Sequence, residues 1–216
     1  LPRPYALHEM NDIGVGLRRG IEELGFPCTE AQIEDFLTYL EELKKWNRAY
    51  NLTAIKNDRE IISRHFLDSL LFAKVLPKRA TSVADIGSGA GFPGLPVKIV
   101  RPDLKVILVE PTQKKSLFLK HISARLGLSD IEVISSRIEN IDGLRVDAAM
   151  TRALFSVRDF AAKAKGILNP GGVLILSKGP RASEELSGAE GLDVSVRDFT
   201  LPIENVVRHL IVIRPT

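Results

Sequence analysis

The stretch Ser82-Val83-Ala84-Asp85-Ile86-Gly87-Ser88-Gly89-Ala90-Gly91-Phe92-Pro93-Gly94-Leu95-Pro96 leaves this chain few ways to fold. It reads as a short buried strand, a tight glycine loop and the start of a helix. Gly87, Gly89 and Gly91 admit positive φ and let a ligand approach the backbone where a Cβ would intrude. Pro93 and Pro96 suit a first helical turn, where a missing N–H costs nothing. Further on, Val106-Ile107-Leu108-Val109 forms a second apolar run that ends on Glu110. Strand, glycine loop, helix, strand and terminal acid make one βαβ nucleotide-binding unit with a carboxylate placed for a ribose.

Two cofactor classes suit such a unit. A dinucleotide sets its pyrophosphate on the helix N-terminus, and Gly89-Ala90-Gly91-Phe92-Pro93-Gly94 does spell G-x-G-x-x-G. Asp85 argues the other way. A negative charge beside a pyrophosphate is unfavourable, whereas beside an ammonium or a sulfonium it is favourable. S-adenosylmethionine carries both cations and is the cofactor expected here, with a nucleotide as the competing reading.

The 216 residues suffice for one α/β domain with a small appendage. No run approaches 18 uninterrupted apolar residues, and the first residues lack the basic-then-apolar order of a signal peptide. Cys28 is the one cysteine, so no internal disulfide forms, which suits a reducing cytoplasm. His8, His65, His121 and His209 are scattered without zinc spacing, and no metal is expected. A net charge of +3 permits an anionic partner such as RNA.

Along the chain, residues 1–10 read as an irregular lead-in, and Ile13 to Leu24 as a short helix closed by Gly25 and Pro27. Thr29 and Gln32 have capping-box spacing. They open a helix with Ile33, Phe36, Leu37, Leu40, Leu43 and Trp46 on one face, which breaks into a polar loop over residues 45–53. Asp58 is placed to cap a third helix from Arg59 to Leu76. There His65 and Asp68 interrupt an apolar stripe; they either bond each other or a helix end, or stand at the mouth of a site.

Thr112 to Gly127 predicts a further amphipathic helix with a basic outer face. Ile131–Ile134, Val146–Met150 and Val173–Leu176 predict strands, Val157–Leu168 a helix, and Asn169-Pro170-Gly171-Gly172 a turn. A short polar helix after Pro180 and two closing antiparallel strands, Val194–Phe199 and Val206–Ile213, complete the chain.

This alternation predicts an α/β fold: a doubly wound, mostly parallel Rossmann-like sheet over residues 78–216, with a helical extension over residues 1–77 packed on it. Ligands of such sheets bind at the carboxyl ends of strands. Asp85, Glu110, Ile138, Glu139, Arg152, Ser177 and Lys178 all follow or close predicted strands.

Trp46-Asn47, Asn51-Leu52-Thr53 and Arg64-His65-Phe66-Leu67-Asp68-Ser69-Leu70 resemble the N-terminal signature of the bacterial glucose-inhibited division protein B family. Asp85 through Pro96 is similar to its cofactor loop almost residue for residue. Ser136-Arg137-Ile138-Glu139, Thr151-Arg152-Ala153, Ser177-Lys178-Gly179 and Arg208-His209-Leu210 follow in order. The resemblance implies a class I fold and methylation of 16S rRNA, giving 7-methylguanosine in the 530 loop at the expense of S-adenosylmethionine. It implies that Gly87 and Phe92 line the cofactor cleft, that Glu110 accepts from the ribose, and that Ile138 and Glu139 flank the adenine. Many relatives carry a small polar residue where Pro111 stands, so a backbone donor is missing there. Arg152 would border the methionine end and the incoming base in a positioning role; its alternative is a salt bridge to a strand-end acid such as Asp85.

Guanine N7 carries a free lone pair, so such a reaction needs alignment more than a base. An arginine bonded to both O6 and N7 would block that lone pair. Arg152 or Lys178, where they touch the base, are therefore expected at O6 or a phosphate. Arg64, Lys114, Lys115, Lys178, Arg181 and Arg208 suggest an open basic rim that suits 16S rRNA or the small ribosomal subunit. The other readings are a small-molecule methyltransferase, and a non-catalytic RNA-binding module with a relic cofactor loop. Nothing in the sequence demands more than a monomer.

Overall fold

The computed structural model describes residues 4–152, 154–178 and 191–215, with side-chain surroundings from residue 12 onward. The helix expected after Pro180 and the rim residue Arg181 lie outside these residues. Seven strands form one sheet: β1 (Ser82–Ile86), β2 (Lys105–Val109), β3 (Ile131–Ile134), β4 (Val146–Arg152), β5 (Leu168–Lys178), β6 (Asp193–Thr200) and β7 (Val207–Arg214). Their order is β3-β2-β1-β4-β5-β7-β6. Neighbours from β3 to β5 are parallel, and β7 runs antiparallel to both β5 and β6. The winding reverses beside β1, so the carboxyl ends of β1 and β4 flank the crevice where such sheets bind ligands.

Successive strand residues face opposite sides, and both sides are apolar. Val83, Leu108, Met150 and Ile175 belong to a core shared with α1 (Pro4–Glu23), α2 (Glu30–Tyr50), α3 (Asp58–Ile61), α4 (Asp68–Val75), α5 (Gly94–Val100) and α6 (Gln113–Arg125). Ala84, Ile86, Ile107 and Leu174 pack against α7 (Val157–Ala164) on the other side. Phe36, Tyr39, Leu43, Phe66, Leu70 and Phe72 are fully buried against the sheet side. At roughly 1.5–3 kcal/mol per buried side chain, the N-terminal helices are a large share of what holds this layer down.

Four elements differ from the sequence reading. α1 begins at Pro4, since proline is at home in a first helical turn. It closes on Gly25 (φ +81), with the Phe26 N–H reaching back to the Ile21 carbonyl at 3.2 Å. The capping box of α2 is present: Gln32 N–H donates to Thr29 Oγ1 at 3.2 Å and Thr29 N–H to Gln32 Oε1 at 3.0 Å. The helix does not break at Lys45, however. The Trp46 ring packs on Phe118 and His121 of α6 at 5.5 and 5.0 Å, and the helix runs on to Tyr50, ending at Asn51 in the left-handed region (φ 50).

The third helix is capped by Asn57, whose side-chain oxygen accepts the Glu60 N–H at 3.2 Å; Asp58 instead pairs with Lys44 at 2.7 Å. α3 passes into α4 through a π-wound turn, Ile62–Leu67. In β5 the expected turn is a bulge within the strand. Pairing with β4 jumps from Val146↔Leu168 to Ala148↔Val173, because Asp147 gathers this corner. Its carboxylate accepts from Asn169 Nδ2 at 2.8 Å and from the N–H groups of Thr81 and Ser82 at 2.8 and 3.1 Å.

Candidate active site

The glycine loop leaves β1 at the crevice and is pinned from three directions. The N–H groups of Gly87 and Ser88 donate to the Val109 carbonyl at 2.8 and 3.1 Å. The Tyr39 hydroxyl, from α2, donates to the Ala90 carbonyl. Glu110 is 4% exposed; its Oε2 accepts the Gly89 N–H at 2.9 Å and its Oε1 the Thr112 N–H at 2.8 Å. Each oxygen keeps a second lone pair for a hydroxyl. At Gly87 (φ +77) a Cβ would lie 2.4 Å from Leu154 Cδ2, and at Gly91 (φ +102) one would lie 2.5 Å from the Tyr39 hydroxyl. The buried Tyr39 leaves no room for a Cβ at Gly91, whereas at Gly87, where the exposed Leu154 tip can move aside, it is the positive φ that calls for glycine.

Beside the loop, Ile86, Gly87, Val109, Pro111, Ile138 and Phe155 line a slot of about 250 Å³. Glu139 stands at its lip, with Lys163 bonded to its carboxylate and holding its pKa below the usual range. Apolar walls with a polar lip suit an adenine ring. A larger cavity, about 550 Å³, lies elsewhere, among Asp12, Gly16, Lys56, Arg59 and Ile203. It has no contact with the glycine loop.

Asp85 and Phe92 do not line the slot; both belong to the helical side of the sheet. Asp85 is fully buried, with Oδ2 accepting the Gly94 N–H at 2.8 Å and Oδ1 without a partner. Burial pushes its pKa up to about 7, against the Gly94 bond, which favours the charged form. When Asp85 is ionised, the orphaned buried oxygen beneath the loop is an acceptor for a bound donor, and a cofactor ammonium brought beside it would favour that ionised form.

The raised pKa has a consequence for stability. In the folded protein Asp85 holds its proton up to about pH 7, whereas the unfolded chain releases it near 3.8. Its contribution is therefore complete below the lower value and is lost as pH rises through the upper one. Asp85→Asn keeps an acceptor for Gly94 and does not titrate. The melting temperature of this variant relative to the parent is expected to rise between pH 5 and pH 8. Thermal unfolding across that range checks this, and a pH-independent difference would refute it.

Phe92 is stacked between Tyr39 and His65, with ring centroids at 5.4 and 4.5 Å. Over it, 5.3 Å from the ring centre, lies the guanidinium of Arg152, which closes β4. Arg152 Nη1 donates to the Arg64 carbonyl at 2.9 Å and stands 3.4 Å from Asp68 Oδ2. Arg152 Nη2 lies 3.0 Å from His65 Nδ1, and His65 Nε2 lies 2.8 Å from Thr53 Oγ1. A guanidinium only donates, so Nδ1 must accept and Nε2 carries the hydrogen toward Thr53. Burial first, and the Arg152 charge second, hold the His65 pKa down to about 3. His65 and Asp68 thus meet through Arg152 and not through each other, and Asp68, not Asp85, is the acid paired with Arg152.

The basic rim is less open than the sequence suggests. Arg64 is paired with Glu204 and Glu60 at 3.0 and 3.3 Å, and Arg208 with Asp68 at 2.8 Å. Lys178 is buried, donating to the Phe155 carbonyl. Lys114 is exposed and Lys115 half-buried on α6. Tyr39, Leu154 and Phe155 take part without any sequence signal that singles them out, and Thr53, which stands out in the sequence only within a family signature, gains its role through His65; each acts through a contact distant in the chain.

A sequence model of the GidB family, described as rRNA small subunit methyltransferase G, matches residues 32–205. The ribosomal RNA small subunit methyltransferase G of Nitrosococcus oceani is 39% identical over 210 residues, which cover 95% of this chain and 97% of that protein. Its namesake from Geotalea uraniireducens is 40% identical over 203 residues, covering 89% and 92%. Among solved structures, a SAM-dependent methyltransferase from Aquifex aeolicus aligns with a TM-score of 0.54 at 20% identity, over 73% of this chain and 93% of that one. A predicted O-methyltransferase from Agrobacterium tumefaciens aligns at 0.56 and 23%, over 68% and 80%. At such identities the likeness is one of fold, the class I methyltransferase sheet. The sequence match reaches across the N-terminal helices, the glycine loop and the Arg152 cluster alike, and the chain belongs to the rRNA small subunit methyltransferase G (GidB) family.

Proposed function

We propose that the protein methylates N7 of a guanosine in the 530 loop of 16S rRNA, acting in the cytoplasm as a metal-free monomer. The observation that carries the choice of atom is the state of His65. Its one lone pair is committed to Arg152 and its pKa is held near 3, so it cannot take a proton from an acceptor. Asp85 is buried beneath the loop. A site so arranged suits a nucleophile that needs no deprotonation, and guanine N7 is one. The choice of the 530 loop rests on the family resemblance of the motifs.

The residues present fit S-adenosylmethionine: the slot at Ile138 and Glu139 for adenine, Glu110 for ribose hydroxyls, and the orphaned Asp85 Oδ1 for the ammonium end. When bound, the cofactor supplies a methyl group made electrophilic by its sulfonium. Arg152 is held rigid by three acceptors and a ring face, so it can meet a base at O6 or a phosphate without reorganising. Arg152 at O6 leaves the N7 lone pair open.

The test is methyl transfer from labelled S-adenosylmethionine to small subunits lacking the modification, followed by nuclease digestion and mass analysis. Label in 7-methylguanosine of the 530 loop is expected. Label in another nucleoside would refute the atom, and label elsewhere in the RNA would refute the loop. Cofactor binding with no labelled RNA would refute the substrate.

A further inference from the structure

We propose that the groove between the carboxyl end of α2 and the 51–57 loop binds phosphates of the RNA strand flanking the target nucleotide. The proposal rests on the reading of the protein as an RNA methyltransferase and names a surface that holds that substrate. Lys44, Asn47, Arg48, Asn51, Thr53 and Lys56 line this groove, which measures about 250 Å³. Among the described residues no acidic one lines it, and Lys44 is paired with Asp58 at 2.7 Å. Arg48 and Lys56 are exposed and have no acidic partner among the described residues. The cations around Arg152 are in the opposite state: Arg64 is paired with Glu60 and Glu204, and Arg208 with Asp68. On this side of the cleft, uncompensated positive charge therefore sits in the groove.

The groove is also wired to the base site. Asn47 grips the backbone of Thr53 on both sides, donating to its carbonyl at 3.0 Å and accepting its N–H at 2.9 Å. Thr53 Oγ1 meets His65 Nε2 at 2.8 Å, and His65 Nδ1 meets Arg152 at 3.0 Å. An unbroken chain of hydrogen bonds thus joins the floor of the groove to Arg152. The helix itself does not attract the phosphate: a carboxyl end is negative, and the Asn51 N–H is committed to the Asn47 carbonyl at 3.1 Å. Binding falls to the side chains of Arg48 and Lys56.

The test uses the full chain and, as the RNA substrate, the same small subunits lacking the modification. Arg48→Gln/Lys56→Gln is expected to raise KM for RNA about tenfold, with the single-turnover rate at saturating RNA and the affinity for S-adenosylmethionine unchanged. The slope of log affinity against log salt should fall by about 1.4, from roughly 0.7 per single-strand phosphate contact. Arg48→Lys/Lys56→Arg, which keeps both charges, should behave as the parent. Lys78→Glu, exposed in the loop before β1, changes net charge equally and controls for bulk electrostatics.

A parent that methylates RNA, together with a double glutamine variant of unchanged KM and salt slope, would overturn this proposal alone. So would an equal loss in Lys78→Glu. Competition for the groove by polyglutamate but not by an RNA oligonucleotide would reassign it to an acidic protein and overturn the proposal. A parent that transfers no methyl group to RNA would overturn the underlying reading as well.

Discussion

Glu110→Ala is expected to weaken S-adenosylmethionine binding about 100-fold, a larger loss than one ribose contact explains. The Glu110 carboxylate ties the Gly89 N–H of the cofactor loop to the Thr112 N–H at the start of α6. Its removal orphans two donors in a site that is 4% exposed. An unsatisfied buried donor costs roughly 1–3 kcal/mol, and each 1.4 kcal/mol is about tenfold in affinity. The free loop escapes this cost by opening to water, so cofactor binding has to re-order it. Glu110→Gln is the sharper test, because its size is kept while its amide turns an NH₂ toward one of the two N–H donors. Isothermal titration measures both variants. Parent-like affinity in Glu110→Gln would mean that the carboxylate neither braces the loop nor meets the cofactor.

The second large effect belongs to Arg152. With cofactor and RNA both saturating, Arg152→Ala should slow single-turnover methyl transfer about 10²–10³-fold, the usual cost of a lost preorganised donor. Affinity for S-adenosylmethionine should change far less than the rate, since the guanidinium lies outside the adenine slot and away from Glu110 and would border only the methionine end. Arg152→Lys should not restore the rate. One ammonium cannot serve the Arg64 carbonyl, His65 Nδ1 and Asp68 together while also offering a donor to the base. Stability should fall modestly, because Asp68 keeps Arg208 at 2.8 Å. A wild-type transfer rate in Arg152→Ala would remove the residue from the chemistry.

What the sequence reveals and what it conceals divides by distance along the chain. The run from Asp85 to Glu110 is legible because strand, loop and helix are neighbours in sequence and the glycines mark the turn. The company these residues keep is not. Tyr39 reaches Ala90 across 51 residues, and Arg152 reaches His65 across 87. No local pattern sets the register between helices and sheet that creates such contacts. Charge misleads in the same way: Lys178 reads as a rim cation, yet the Phe155 carbonyl receives it inside. Asn57 and Asp58 are both able caps, and only the ion pair from Lys44 decides between them. Asn169-Pro170-Gly171-Gly172 has the composition of a turn, but Asp147 holds it within the strand as a bulge.

The wide turn over Ile62–Leu67 makes chain length itself a determinant of the site. Within it lie the Arg64 carbonyl and His65, and immediately after it Asp68; all three converge on one guanidinium. A residue adds about 100° of rotation in ordinary α-winding. Excising one from this turn would let it relax to that pitch, and because the wider winding turns less per residue, Asp58–Ile61 would keep nearly its orientation on Asp68–Val75 while the turn itself lost its extra residue. Lys44 would keep Asp58, but the Arg64 carbonyl and His65 would shift away from the guanidinium and the Phe92 ring. Side-chain substitution scans are blind to such a constraint. A single-codon deletion scan through residues 58–81 would expose it: deletions within Ile62–Leu67 are expected to abolish methyl transfer while the protein still folds, and deletions in the loop before β1 to be tolerated.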